Sequence, residues 1–277
     1  MPRSLSAQDV ERYRSAGYHF PVDLLSRSEA AELRGRLEEF ERRNGGPIQG
    51  AMRHKPHLLF TWLNDLVRHP VVLDAVEDIL GPDLLCWASS FFIKEASDPS
   101  FVSWHQDATY WGLDRPDVMT VWIALTPANR INGCMKFKPG SHLQQLAHKD
   151  TFDKNNLLTR GQEIAVTVDE ADAVYVELEP GQGSLHHVLL AHGSAPNLSG
   201  DRRIGYAIRY IPTYVRQIAG ERDSATLVRG VDRYGYFDHE PAPASDLAED
   251  ALALHAAITE RSVKVLYRGT GVNEYRS

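Results

Sequence analysis

Residues 184–210 read SLHHVLLAHGSAPNLSGDRRIGYAIRY. Two apolar runs, 184–192 and 202–210, flank a segment rich in Gly, Ser, Pro and Asn, the pattern of a strand, a turn and a returning strand. Just upstream, Pro180-Gly181-Gln182-Gly183 marks another turn. The same alternation recurs at 172–178, at 134–138 before Pro139-Gly140-Ser141, at 118–125 before Thr126-Pro127, and at 84–96. Many short strands punctuated in this way predict a mainly β (α+β) chain, a cupin-like jelly roll flanked by helices.

The flanks carry helical signals. Ser6-x-x-Asp9 and Ser26-x-x-Glu29 fit capping boxes, and Leu33, Leu37 and Phe40 follow the second at helical spacing. Residues 71–80 form a further expected helix stopped by Gly81-Pro82, and 247–266 another near the C-terminus. No linker divides the chain, so one domain is expected over 1–277. Its helical N-terminal part covers about 1–83, its jelly-roll core about 84–215 and its helical C-terminal part about 216–277. The polar stretch 143–170 is too long for a hairpin loop and predicts a lid or binding segment.

Composition narrows the function classes. The 277 residues are 43% hydrophobic and 24% charged, which suits a globular chain and not a disordered one. The net charge of −7 comes with no Lys/Arg run, which argues against nucleic acid as a partner. Two cysteines, Cys86 and Cys134, exclude a disulfide framework and a Cys-x-x-Cys zinc pair. No apolar run approaches a membrane span, and the first residues lack the apolar stretch of a signal peptide. The expectation is a cytoplasmic monomer or homodimer acting on a small molecule.

The strongest chemical signal is Trp104-His105-Gln106-Asp107. On an extended segment residues i and i+2 face the same side, so His105 and Asp107 can approach one ion. His192, closing the run 184–192, supplies a third ligand. Two histidines and a carboxylate that leave positions open suit Fe(II). The His-x-Asp pattern recurs at His148-Lys149-Asp150, but in a polar stretch that is expected to face solvent. The turn after His192 can bring Arg203 beside it. A guanidinium takes a carboxylate through two parallel hydrogen bonds, so iron ligand and clamp together suit a 2-oxo diacid. Arg202 points to the opposite face as a solvated surface charge. Gln106, Tyr110 and Trp111 lie just past the ligands and are candidate substrate contacts. Arg209 shares Arg203's face by period two and could bind an anionic substrate. The same alternation sets His186 on the face of His192 and His187 on the opposite one.

These residues resemble the phytanoyl-CoA dioxygenase family of Fe(II)/2-oxoglutarate oxygenases. The resemblance rests on WHQD at 104–107, WIAL at 122–125, Asn132-Gly133, PGSH at 139–142 and HGSAPNLSGDRR at 192–203. It implies a double-stranded β-helix, iron on His105, Asp107 and His192, and Arg203 on the distal carboxylate of 2-oxoglutarate. It further implies that Ser194 assists that bond and that Trp122 walls the co-substrate, with Lys94 and Asn132 as further candidates. The implied reaction consumes O2 and hydroxylates a small molecule such as an amino acid, a phosphonate or a natural-product intermediate, releasing succinate and CO2. Related halogenases carry a small residue in place of the carboxylate; Asp107 here favours hydroxylation, with desaturation or ring closure open. The competing expectations are a cupin-type metal hydrolase or isomerase and a non-catalytic jelly-roll binding protein.

Overall fold

Two serines set the starts of the first helices. In the computed structural model, α1 (Ala7–Ala16) follows Ser6 and α2 (Arg27–Asn44) follows Ser26. Each serine hydroxyl accepts the amide of the residue three on, whose carboxylate reaches back to the serine N–H. Caps of this kind contribute about 1 kcal/mol each. The structure describes residues 4–272, 274 and 275; the outermost ends of the expected unit, 1–3 and 276–277, lie outside the described residues. Between the first two helices lies β1 (Tyr18–Asp23), inside the part expected to be helical. Its Pro21 is tolerated because β1 is a sheet edge, where one N–H can be missing. Helices α3 (Thr61–Val67) and α4 (Pro70–Leu80) follow, α4 ending at Gly81.

The strands come next: β2 (Leu84–Lys94), β3 (Val102–His105), β4 (Met119–Ala124), β5 (Met135–Phe137), β6 (His148–Asp150), β7 (Gln162–Ile164), β8 (Val174–Tyr175), β9 (Gln182–His187), β10 (His192–Ser194), β11 (Arg203–Pro212), β12 (Ser224–Arg229) and β13 (Asp238–His239). Helix α5 (Glu249–Leu266) closes the series. One sheet has the order β1-β9-β4-β11-β2-β12-β13, a second the order β3-β10-β5-β8, and β6 pairs with β7 alone. Trp122, Ala124 and Ala207 of the large sheet meet Met135 and Phe137 of the small one. The outer face of the large sheet, with Ile204, Tyr206, Ile208 and Tyr210, packs on Leu37, Leu63, Val72 and Val76 of the helices. The result is the expected double-stranded β-helix, with its site between the sheets.

Three local expectations need correction. The run 184–192 is not one strand. It ends as β9 at His187, turns through 188–191 with the Leu190 N–H on the His187 carbonyl (2.8 Å), and enters the other sheet as β10. The region 216–277 is not simply helical, since β12 pairs with β2 and widens the large sheet. Arg202 is not a solvated charge; it is half-buried and bridges Glu41 and Glu95 at 2.6 and 2.7 Å. Among the described residues no helix is long and apolar enough to cross a membrane.

Candidate metal centre and adjoining cavities

The strand break at 188–191 delivers His192 to the metal centre. Strand β10 runs between β3 and β5, with His192 directly opposite His105 and Phe137. The two imidazole rings lie 4.1 Å apart, centroid to centroid. After His105 the chain leaves the sheet into a short 3-10 turn beginning at Asp107, anchored by the Asp107 N–H on the Val188 carbonyl (3.0 Å). Asp107 Oδ1 then lies 3.3 Å from His105 Nε2, and the Thr120 hydroxyl reaches Oδ2 at 3.5 Å. The ligand atoms of His105, Asp107 and His192 all fall within 4.8 Å of one another, and all three residues are buried.

The hydrogen bonds around the ligands fix their tautomers. His105 Nδ1 donates to the Ser103 and His192 carbonyls (2.9 and 3.1 Å), and His192 Nδ1 donates to the Leu190 carbonyl (2.9 Å). Both Nε2 atoms therefore keep their lone pairs for a metal. Burial, reinforced by the neighbouring His105, pushes His192 down to about 4. Burial works to raise Asp107, but the close approach of His105 and the neighbouring His192 and Arg209 hold it well below the usual carboxylate range. Two neutral imidazoles and one carboxylate on one side of a cavity could hold a divalent transition metal and leave positions open.

The second His-x-Asp copy is spent otherwise. His148 Nε2 accepts the Gln106 N–H (2.8 Å), while Asp150 pairs with Arg160 and accepts the Tyr110 hydroxyl (2.8 Å). Both are half-buried in the β6–β7 hairpin rather than in open solvent. That hairpin and Glu170, which accepts the Trp104 indole N–H at 2.7 Å, pin the 143–170 stretch onto the β3 side.

On β11, alternation puts Arg203, Gly205, Ala207 and Arg209 on the face toward the ligands. A small cavity of about 30 Å³ joins His105, Asp107 and His192 to Ser194, Arg203 and Arg209. Arg203 is only 1% exposed, its Nη1 donates to the Gly133 carbonyl (3.1 Å), and its Nε has no partner among the described residues. Lys94 stands opposite Arg203 on β2, and its Nζ donates to Ser194 Oγ (2.7 Å) and to the Ala195 carbonyl. Burial, then the charge of Arg203, push Lys94 down to about 6. Among the described residues neither Arg203 nor Lys94 has an ion-paired carboxylate, so the buried Arg203 guanidinium leaves this end of the cavity suited to an anion. Trp122 fills the space that Gly205 leaves open, with its ring 5.4 Å from the Arg203 guanidinium carbon. Asn132 serves the turn, bonding the Asn129 N–H and the Pro127 carbonyl (2.8 and 2.7 Å), and so positions the Gly133 carbonyl under Arg203.

A wider cavity of about 130 Å³ shares Phe92, Asp107 and Arg209 with the small one. Trp111 lies in its wall, as expected of a substrate contact. Gln106 and Tyr110 do not. The Gln106 amide is buried and bonds the Leu189 and Gln144 carbonyls and the Leu146 N–H (2.6, 2.8 and 2.7 Å). Tyr110 points to Asp150 and Arg160. His186 does reach the small cavity, its ring 5.0 Å from His192, while His187 turns to His142. Sequence reasoning did not identify Trp87 and Phe92, although period two from Lys94 marks Phe92. It also did not identify the wall built by Gln217, Arg261, Val265 and Tyr275, for which no local motif exists.

The phytanoyl-CoA dioxygenase (PhyH) family model matches residues 2–205, well over half of the chain. A probable alpha-ketoglutarate-dependent hypophosphite dioxygenase of Stutzerimonas stutzeri is 32% identical over 184 residues, which are 61% of this chain and 61% of the relative. The chain thus matches about three fifths of that relative's length. Among solved structures, the non-heme monooxygenase ThoJ in its apo form is 40% identical with a TM-score of 0.84, over 94% of this chain and 97% of ThoJ. CytC3 with Fe(II) and alpha-ketoglutarate is 25% identical with a TM-score of 0.66, over 90% and 96% of the two chains. The facial triad, the orphan arginine behind it and the family match lead to one assignment: this chain belongs to the phytanoyl-CoA dioxygenase family.

Proposed function

We propose that this protein is an Fe(II)- and 2-oxoglutarate-dependent dioxygenase that hydroxylates a small molecule, with release of succinate and CO2. One observation carries this reading: a two-histidine, one-carboxylate set and a buried guanidinium that has no ion-pair partner among the described residues share one cavity. His105, Asp107 and His192 would hold the iron, which with 2-oxoglutarate and O2 supplies the oxidising chemistry. Arg203 would take the distal carboxylate of the co-substrate. The Ser194 hydroxyl, already accepting from Lys94, has its own proton free to donate to the same carboxylate. Trp122 limits how far Arg203 can swing, and the buried walls exclude water from the reacting atoms. Asp107 occupies the position that a halide would need, so hydroxylation is favoured over halogenation. A cupin-type hydrolase or isomerase, or a metal-free binding protein, has no use for the orphan charge of Arg203. We further place the protein in a reducing, cytoplasmic setting as a monomer or homodimer; its two cysteines are buried free thiols.

The test is anaerobic. Fe(II) followed by 2-oxoglutarate should give a weak visible charge-transfer band, violet in colour. Folded, metal-loaded protein that gave no band would overturn the assignment.

A further inference from the structure

Arg209 lies where the two cavities meet and is 7% exposed. Its Nη1 donates to the Ser90 hydroxyl at 3.0 Å, while its Nε–H finds no partner among the described residues. Phe92 and Trp111 flank the guanidinium, its carbon 5.5 and 5.7 Å from their ring centroids, and so fix its plane. The edge left open is the one formed by Nε and Nη2, the fork that a carboxylate takes with two parallel hydrogen bonds. The other buried cation of the cavity, Lys55, is already matched by Glu240 at 2.6 Å. Asp223 is engaged by the Trp87 indole N–H at 2.7 Å. Among the described residues no carboxylate forms an ion pair with Arg209, and Asp107 is the acidic group that acts on it most.

Loading the site removes even that compensation. A divalent ion, Asp107, a dianionic co-substrate and Arg203 together carry no net charge. Arg209 is then left as an unmatched buried cation, and Lys94, if charged, only adds to the excess. A buried ion without a partner is costly, and a ligand anion would supply one. Two further orphan polar atoms, Gln217 Oε1 and Arg261 Nε, belong to the same cavity wall.

We propose that the substrate is a small organic carboxylate, its anionic head held by the Nε–Nη2 edge of Arg209 and its body packed among Trp87, Trp111 and Phe92. This inference rests on the Fe(II)/2-oxoglutarate reading given above. The cavity volume of about 130 Å³ suits a single-ring probe, since an apolar cavity of about 150 Å³ admits benzene.

The experiment compares benzoate with benzamide by isothermal titration calorimetry, on protein loaded with zinc(II) and saturated with 2-oxoglutarate. In the wild type, benzoate should bind at least about tenfold tighter than benzamide. Arg209→Gln should collapse the preference, and Arg209→Lys should keep part of it. Equal affinities, no binding of either probe, or a preference that survives Arg209→Gln would overturn the proposal. So would an Arg209→Gln protein that binds benzoate normally but 2-oxoglutarate poorly, which would assign Arg209 to the co-substrate. Unfolding transitions establish that each variant is folded; if the glutamine variant is not, the wild-type comparison and the lysine variant decide. A wild type lacking the charge-transfer band with Fe(II) and 2-oxoglutarate would instead refute the wider reading, independently of the benzoate result.

Discussion

Arg203→Met is expected to hold or raise the stability of the metal-free protein while destroying its affinity for 2-oxoglutarate. Arg203 is buried with no ion-pair partner among the described residues, and burial pushes it down to about 10. Replacing buried ionic groups by apolar side chains of similar volume stabilises proteins by about 1–4 kcal/mol. Against that, the bond to the Gly133 carbonyl is lost, and an acceptor left unsatisfied costs about 1–3 kcal/mol. The two terms nearly cancel, the net falling between about 2 kcal/mol against the variant and about 3 kcal/mol in its favour, whereas most substitutions of buried residues destabilise. Binding moves the other way. Removing one partner of a buried charge pair costs about 2–5 kcal/mol, which is about 30-fold to several thousand-fold in affinity. Scanning calorimetry of the metal-free protein reads the first effect, and anaerobic titration of the charge-transfer band reads the second. A clearly lowered melting temperature together with 2-oxoglutarate affinity within about threefold of wild type would refute the reasoning.

Other expectations follow from the same geometry. Asp107→Ala should abolish succinate formation coupled to substrate oxidation, measured by succinate release with Fe(II) supplied in excess. Gly205→Ala would place a Cβ 1.8 Å from Trp122 Cζ2, so the indole must move. A stability loss of about 1–3 kcal/mol in urea melts is expected, with weaker 2-oxoglutarate binding because Trp122 abuts Arg203. Lys94 sits at about 6 in the fold against its ordinary 10.5, so between those values the unfolded chain binds more protons. Its contribution makes the metal-free protein more stable as pH rises from about 6 to about 10, and Lys94→Met should flatten that slope in melting temperature against pH. Gln106→Leu should cost about 3 kcal/mol or more by stranding the backbone groups of 144, 146 and 189, and should speed proteolysis around 141–146 while leaving metal affinity near wild type.

The candidate metal ligands, which the fold brings together, were legible because their spacing is local. His105 and Asp107 are two residues apart, and the turn signals after His192 fix where the chain reverses. What periodicity could not supply was the break at 188–191. Val188, Leu189, Leu190 and Ala191 are as apolar as a strand, yet the chain turns there and changes sheets. The placement of His186 near the centre and His187 away from it came out as expected, although the continuous strand assumed for it does not exist. The substrate side was less legible. Gln106, Tyr110 and Trp111 all follow the ligands closely, but the 3-10 turn at Asp107 rotates successive side chains apart, so only Trp111 enters the cavity. Strand β1 was hidden by its length and by Pro21, and β12 by having only a short apolar run of its own. The cavity walls after 209 come from a loop, α5 and Tyr275, which meet only through tertiary packing.

Strand β11 also acts as a ruler. Its two inward arginines, Arg203 and Arg209, are six residues apart on one uninterrupted antiparallel run against β2. At about 3.4 Å per residue that is roughly 20 Å of backbone, and it separates the Arg203 end of the small cavity from the point where the two cavities meet. One residue inserted between them would turn Arg209 onto the face that packs on the helices. Two would restore its face but carry it about 7 Å further along the strand. The loops around this centre can be lengthened or rebuilt, but the count from 203 to 209 is set by the distance the two guanidiniums must keep.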